Sequence, residues 1–194
     1  MTFTILTVCT GNICRSPVAE LLLARGLAEF PDVAVESAGT GALVDAGIPE
    51  PALRLLSADG VDGAGHHSRQ LTPALVREAD LVLAMAREHR RAVVELVPAA
   101  TRRTFTVREL ARVAESLREE PGPRIDTDDE SARMRAAVLH AAGVRGMVPQ
   151  PDDPRDLDVI DPYRQSDEVF RESFAQLTPA VASVIAFLSR SAGK

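Results

Sequence analysis

The sequence predicts an α/β fold, a four-stranded parallel sheet flanked by helices on both faces. Two observations carry that prediction. Short β-rich apolar runs alternate with helical patterns along the chain, as in strands joined by crossover helices. The first run opens directly into a Gly-, Asn- and Ser-containing loop, and ligands of such sheets bind at the carboxyl ends of the strands. A chain of 194 residues with 45% apolar composition can build a single large core, so residues 1–194 are expected to form one domain.

The elements follow in order. Phe3 to Val8 is a buried strand that feeds the loop. Ser16 and Pro17 read as N-cap and first helical position, and Val18, Leu21, Leu22, Leu23, Leu27 and Phe30 give that helix a wide apolar face. Val33 to Ala38 is a second strand, ended by Gly39-Thr40-Gly41. Helices are expected over 50–58 and 73–79, then a third strand over 80–85 and a helix over 86–96 that stops before Pro98. Arg103 to Thr106 is a short fourth strand ahead of a helix over 107–118. From 119 to 156 the composition turns to Pro, Asp, Glu and Gly around one helical stretch, 130–142, which reads as an insertion carrying its own helix before the C-terminal catalytic loop. After Ser166, a cap, Phe170, Phe174, Leu177, Val181, Val184 and Leu188 mark a long helix that Pro179 should kink or break.

Composition excludes several classes. The net charge is −6 and the one lysine is Lys194, so the basic footprint of a nucleic-acid binder is missing. No uninterrupted apolar run approaches the ~20 residues that span a bilayer, and no export signal is expected at the N-terminus. Both cysteines, Cys9 and Cys14, sit in one short loop, where a bridge would add little to the fold. That placement fits thiols kept reduced in the cytoplasm.

The loop Val8-Cys9-Thr10-Gly11-Asn12-Ile13-Cys14-Arg15-Ser16-Pro17 carries the chemistry. The five residues between Cys9 and Arg15 are enough to curl around a tetrahedral anion, with N–H groups of Thr10, Gly11, Asn12, Ile13, Cys14, Arg15 and Ser16 turned inward. The following helix adds its positive end. A thiol held there is expected to ionise near pH 3.5 to 7.5 instead of ~8.5. Arg15 offers a planar fork for two phosphoryl oxygens, and Gly11 and Asn12 both suit a left-handed turn. Ser16 can hydrogen-bond a Cys9 thiolate.

With Asp161-Pro162-Tyr163 downstream, the loop resembles the signature of the low-molecular-weight protein tyrosine phosphatase family. Ser37-Ala38-Gly39-Thr40, the run from Asp80 to Met85 and the run from Tyr163 to Phe170 resemble family segments in the same order. The resemblance covers 1–118 and 157–190. It implies hydrolysis of phosphotyrosine through a phosphocysteine, with Cys9 as nucleophile, Arg15 holding the phosphoryl group and Asp161 as acid and then base. It implies no metal and no other cofactor. Asn12, Ser16, Ser37 and His66 match a network that supports the loop. The plainer reading of His66 is a solvated turn residue. The cysteine matching Cys14 can form a reversible disulfide with the nucleophile; the plainer reading is a small buried side chain.

The rim of the site is Ile13, Leu43 and Tyr163. An apolar Ile13 suits an aryl ester, and relatives acting on phosphoarginine have threonine there. Tyr163 supplies one wall of a ring slot. Leu43 departs from the aromatic residue that many members carry. The implied partners are tyrosine-phosphorylated proteins, a bacterial polysaccharide-export tyrosine kinase among them. Two other activities of related sequences, arginine dephosphorylation and arsenate reduction, are the alternatives; the thioredoxin-coupled reductases need a further cysteine, and this sequence has only two.

Overall fold

Each β-rich run forms a strand: β1 Phe3–Cys9, β2 Val33–Gly39, β3 Leu81–Ala84 and β4 Thr104–Thr106. They make one parallel sheet in the order β2-β1-β3-β4, with Val8 opposite Ala38 on one side and Ala84 on the other. The chain leaves β1 for one edge and returns past it to β3. The carboxyl ends of β1 and β3 therefore flank a topological switch point, the crevice in which open α/β sheets bind ligands. The computed structural model describes residues 1–120, 123 and 125–193; positions 121, 122 and 124 of the expected insertion, and Lys194, lie outside the described residues.

The helices are α1 Arg15–Gly26, α2 Glu50–Ala58, α3 Pro73–Glu78, α4 Arg87–Leu96, α5 Val107–Ser116, α6 Glu130–Val144 and α7 Asp167–Ala192. Local chemistry sets several starts. Thr106 and Glu109 form a reciprocal capping box on α5, and the Thr72 and Asp129 side chains cap α3 and α6.

Alternation along the strands divides the core. Phe3, Ile5 and Cys9 of β1, with Leu81 and Leu83 of β3, face a large cluster completed by α1, α2, α5, α6 and α7. Leu6, Val8 and Val82 point the other way, onto Val76 of α3 and Val93 of α4. Fully burying side chains of this size contributes roughly 1.5–3 kcal/mol each. Within 119–156, α6 places Met134, Ala137, Val138 and Ala141 in the large cluster against α5 and α7.

Four local expectations need correction. Ser16 is not the N-cap: α1 begins at Arg15 with Cys14 in the cap position, and the Ser16 hydroxyl turns toward Cys9 instead. Of the Gly11-Asn12 pair only Asn12 takes a left-handed conformation, at φ 53°. α7 runs unbroken through Pro179, because packing of its apolar stripe on α1, α5 and α6 outweighs the lost backbone bond. α7 is also long and apolar enough to cross a membrane by length and composition. Scattered polar residues hide this from a search for an uninterrupted run, and in this fold Leu177, Val181, Val184 and Leu188 are buried in the core.

Candidate active site

The loop between β1 and α1 is held from outside by its carbonyl oxygens. Thr40 N–H donates to Cys9 C=O at 2.9 Å, Gly41 to Thr10 at 3.0 Å and Leu43 to Gly11 at 3.1 Å. His66 Nε2 donates to the Asn12 carbonyl at 2.7 Å. With successive carbonyls turned outward, the N–H groups face the other way, and among the described residues those of 11–14 donate to no protein acceptor. This is an anion nest at the amino end of α1. Gly39 permits the close approach, since a Cβ there would lie 2.4 Å from the Thr10 carbonyl oxygen.

A chain of side chains backs the nest. Cys9 Sγ lies 3.0 Å from Ser16 Oγ, which accepts from Asn12 Nδ2 at 3.0 Å. The same Asn12 amide donates to Ser37 Oγ at 2.8 Å, and Ser37 in turn donates to the Glu20 carboxylate. Asn12 Oδ1 accepts from the Arg69 backbone N–H at 2.8 Å. Asn12 is fully buried, so this set of bonds satisfies both ends of its amide. Asn12, Ser16, Ser37 and His66 are thus brought together around the loop. Glu20 and Arg69 were not foreseen. Glu20 had a signal, lying four residues after Ser16 and so on the same helical face; Arg69 had none. Burial pushes the Glu20 carboxyl up from its ordinary range, and the Ser37 hydroxyl opposes that rise.

Arg15 is only 4% exposed; it donates through one terminal nitrogen to Val159 C=O at 3.0 Å and pairs through the other with Asp161 at 2.8 Å. Its Nε is buried with no hydrogen-bond partner among the described residues. Asp161 is half exposed, and its other oxygen accepts from the Tyr163 N–H at 3.1 Å. The segment is positioned by Val159 N–H on Met85 C=O, at the end of β3. Asp158, the rival carboxylate, is occupied otherwise: it binds the Arg87 backbone N–H at 2.7 Å and the Arg87 guanidinium, fastening the segment to the start of α4.

Cys9, Thr10, Gly11, Ile13, Cys14, Arg15, Leu43, Asp161 and Tyr163 line one cavity of about 120 Å³. Leu43 and Tyr163 are partly exposed at its mouth, with the Arg164 guanidinium 5.0 Å from the Tyr163 ring centre. Both cysteines are buried and unbridged. Burial and the neighbouring Cys9 push the Cys14 thiol up to about 12, so it remains protonated at neutral pH. Among the described residues no group of three or more His, Cys, Asp or Glu is gathered as metal ligands.

Residues 4–142 match the family model of the low-molecular-weight phosphotyrosine protein phosphatases. The chain belongs to this family. A probable low-molecular-weight protein-tyrosine-phosphatase, EpsP of Ralstonia solanacearum, is 41% identical over 107 residues, 55% of this chain and 72% of that protein. Among solved structures, the tyrosine phosphatase Wzb of Escherichia coli K30 in complex with sulphate is 30% identical with a TM-score of 0.65, over 96% of this chain and 98% of that one. The YwlE arginine phosphatase of Geobacillus stearothermophilus is 28% identical with a TM-score of 0.68, over 97% and 94%. This phosphatase is accordingly a hydrolase of phosphotyrosine in proteins.

Proposed function

We propose that the phosphatase works through a phosphocysteine formed on Cys9. The observation that supports the reading is the Arg15 to Asp161 contact at 2.8 Å beside the Cys9 loop, with all three residues lining one cavity. The incoming phosphoryl group takes the Arg15 fork and the inward N–H groups, releasing Asp161. Cys9 thiolate attacks phosphorus in line, and the bond from phosphorus to the phenolic oxygen breaks as Asp161 gives its proton to that oxygen. Water then attacks the phosphocysteine while Asp161 takes its proton. The sulfur to phosphorus bond breaks, and the thiolate returns to the Ser16 hydroxyl, 3.0 Å away.

Arg15 follows the equatorial oxygens through both steps, where moving charge needs preorganised donors. Ile13, Leu43 and Tyr163 form the rim around the leaving group, one aromatic wall facing an aliphatic one. Cys14, held as a thiol, stands ready to bridge an oxidised Cys9. The substrates are tyrosine-phosphorylated cytoplasmic proteins, and a polysaccharide-export tyrosine kinase is the proposed partner class. Ile13 favours phosphotyrosine over phosphoarginine.

The test is turnover of a phosphotyrosine peptide with rapid-quench detection of the phosphoenzyme. Cys9→Ser is expected to abolish turnover. Asp161→Asn is expected to cut kcat by about 10²- to 10⁴-fold, most strongly for leaving groups of high pKa. Activity of Cys9→Ser at the wild-type level would overturn the mechanism, and faster turnover of phosphoarginine would overturn the substrate assignment.

A further inference from the structure

α4 carries a histidine that the mechanism leaves unused. His89 is 2% exposed, and its Nε2 lies 2.9 Å from Oγ1 of Thr10, the residue next to Cys9 in the loop. Its other ring nitrogen, Nδ1, is buried with no hydrogen-bond partner among the described residues. Glu88 places a carboxylate oxygen 3.5 Å from Nε2. A carboxylate beside Nε2 and no acceptor for Nδ1 both favour the tautomer with its proton on Nε2. Burial and the nearby Arg15 push the imidazole down to about 4, so the ring is neutral in the working range.

In that tautomer Nε2–H donates and Thr10 Oγ1 accepts. The Thr10 hydroxyl proton is then directed away from His89. Thr10 lines the cavity shared with Cys9, Arg15 and Asp161, and no second partner for its hydroxyl is present among the described residues. We infer that the Thr10 hydroxyl is a substrate-contacting donor to a phosphoryl oxygen, and that His89 is the positioning residue that aims it. Most of the cradle's donors are backbone N–H groups fixed by the fold; this one is a rotor, and a rotor without a fixed partner spends its donor elsewhere. The inference rests on the reading of the loop as the phosphoryl cradle.

The roles are separable by kinetics on an aryl phosphate together with inhibition by inorganic phosphate. Thr10→Val keeps shape and removes the hydroxyl; it is expected to lower kcat/KM about tenfold and to weaken inhibition by inorganic phosphate by a similar factor, whereas Thr10→Ser retains most of both. His89→Leu is expected to reproduce the Thr10→Val defect, and His89→Gln, whose amide N–H can reach the same oxygen, to recover most of it. The double variant Thr10→Val/His89→Leu should be no worse than Thr10→Val alone, because both remove one interaction. Wild-type phosphate inhibition and kcat/KM in Thr10→Val would overturn the inference, as would independent, multiplying losses in the double variant. A Cys9→Ser control that is inactive while Thr10→Val is normal sinks only this inference; an active Cys9→Ser sinks the cradle reading itself.

Discussion

His89 shows how one side chain ties local chemistry to stability. Its ordinary value is 6.5 and the folded value is about 4, with burial as the first cause. Arg15 adds to the depression, while Asp161 and Asp158 oppose it and Glu88 lies beside Nε2. Between pH 6.5 and 4 the unfolded chain binds a proton that the folded chain does not. Stability therefore falls as pH falls through that window and loses nothing more from this group below it, a change on the order of 3 kcal/mol. Urea unfolding at pH 7 and pH 4.5 should show a smaller acid loss for His89→Gln than for the wild type; equal losses would mean that the ring titrates normally. At this scale the sequence was legible where a motif fixes spacing: Cys9, Arg15 and Asp161 line one cavity, and Asn12 and Ser16 stand behind Cys9. His89 was not. Its only sequence signal is its place four residues before Val93 on the buried face of α4, which gives burial but no partner, since Thr10 is 79 residues away.

Among the elements, α7 is the least expected. A proline in a helix interior removes one backbone bond and crowds the preceding turn, at a cost of ~3 kcal/mol or more. Yet α7 stays continuous from Asp167 to Ala192, with Phe170, Leu177, Val181, Val184 and Leu188 buried. Pro179→Ala is expected to restore the donor and raise stability by about 1–3 kcal/mol, read as a higher Tm. A lower Tm would show that the ring itself fills the packing. Strand and helix placement elsewhere was legible because burial alternates or recurs with a clear period. Helix ends were less so: Ser16 looks like a cap by type, but the thiol beside it competes for the same hydroxyl. The run 119–156 reads as an insertion by composition, whereas α6 within it contributes Met134 and Val138 to the core, and small Ala side chains at its contact with α7 give little hydropathy contrast to reveal that.

For the molecule as a whole, parallel strands and a switch point between β1 and β3 place the loop, α4 and the Asp161 segment at the carboxyl end of one sheet. That convergence of residues 9–16, 86–89 and 158–163 is set by topology, so no local pattern records it. The net charge of −6 points away from anionic ligands, while the carbonyls of Cys9, Thr10, Gly11 and Asn12 are bonded on the loop's outer side and its N–H groups point in. The protein thus carries a small anion-attracting nest of inward N–H groups that a whole-chain charge count conceals. Its consequence reaches beyond phosphate esters to reagents that know nothing of tyrosine: the pocket sorts electrophiles by charge. Iodoacetate should alkylate Cys9 at least ~10-fold faster than neutral iodoacetamide when each rate is referred to a small thiol, a steering effect that denaturation and saturating inorganic phosphate both erase. Equal reference-corrected rates in the folded protein would show that the nest does not draw anions to its sulfur.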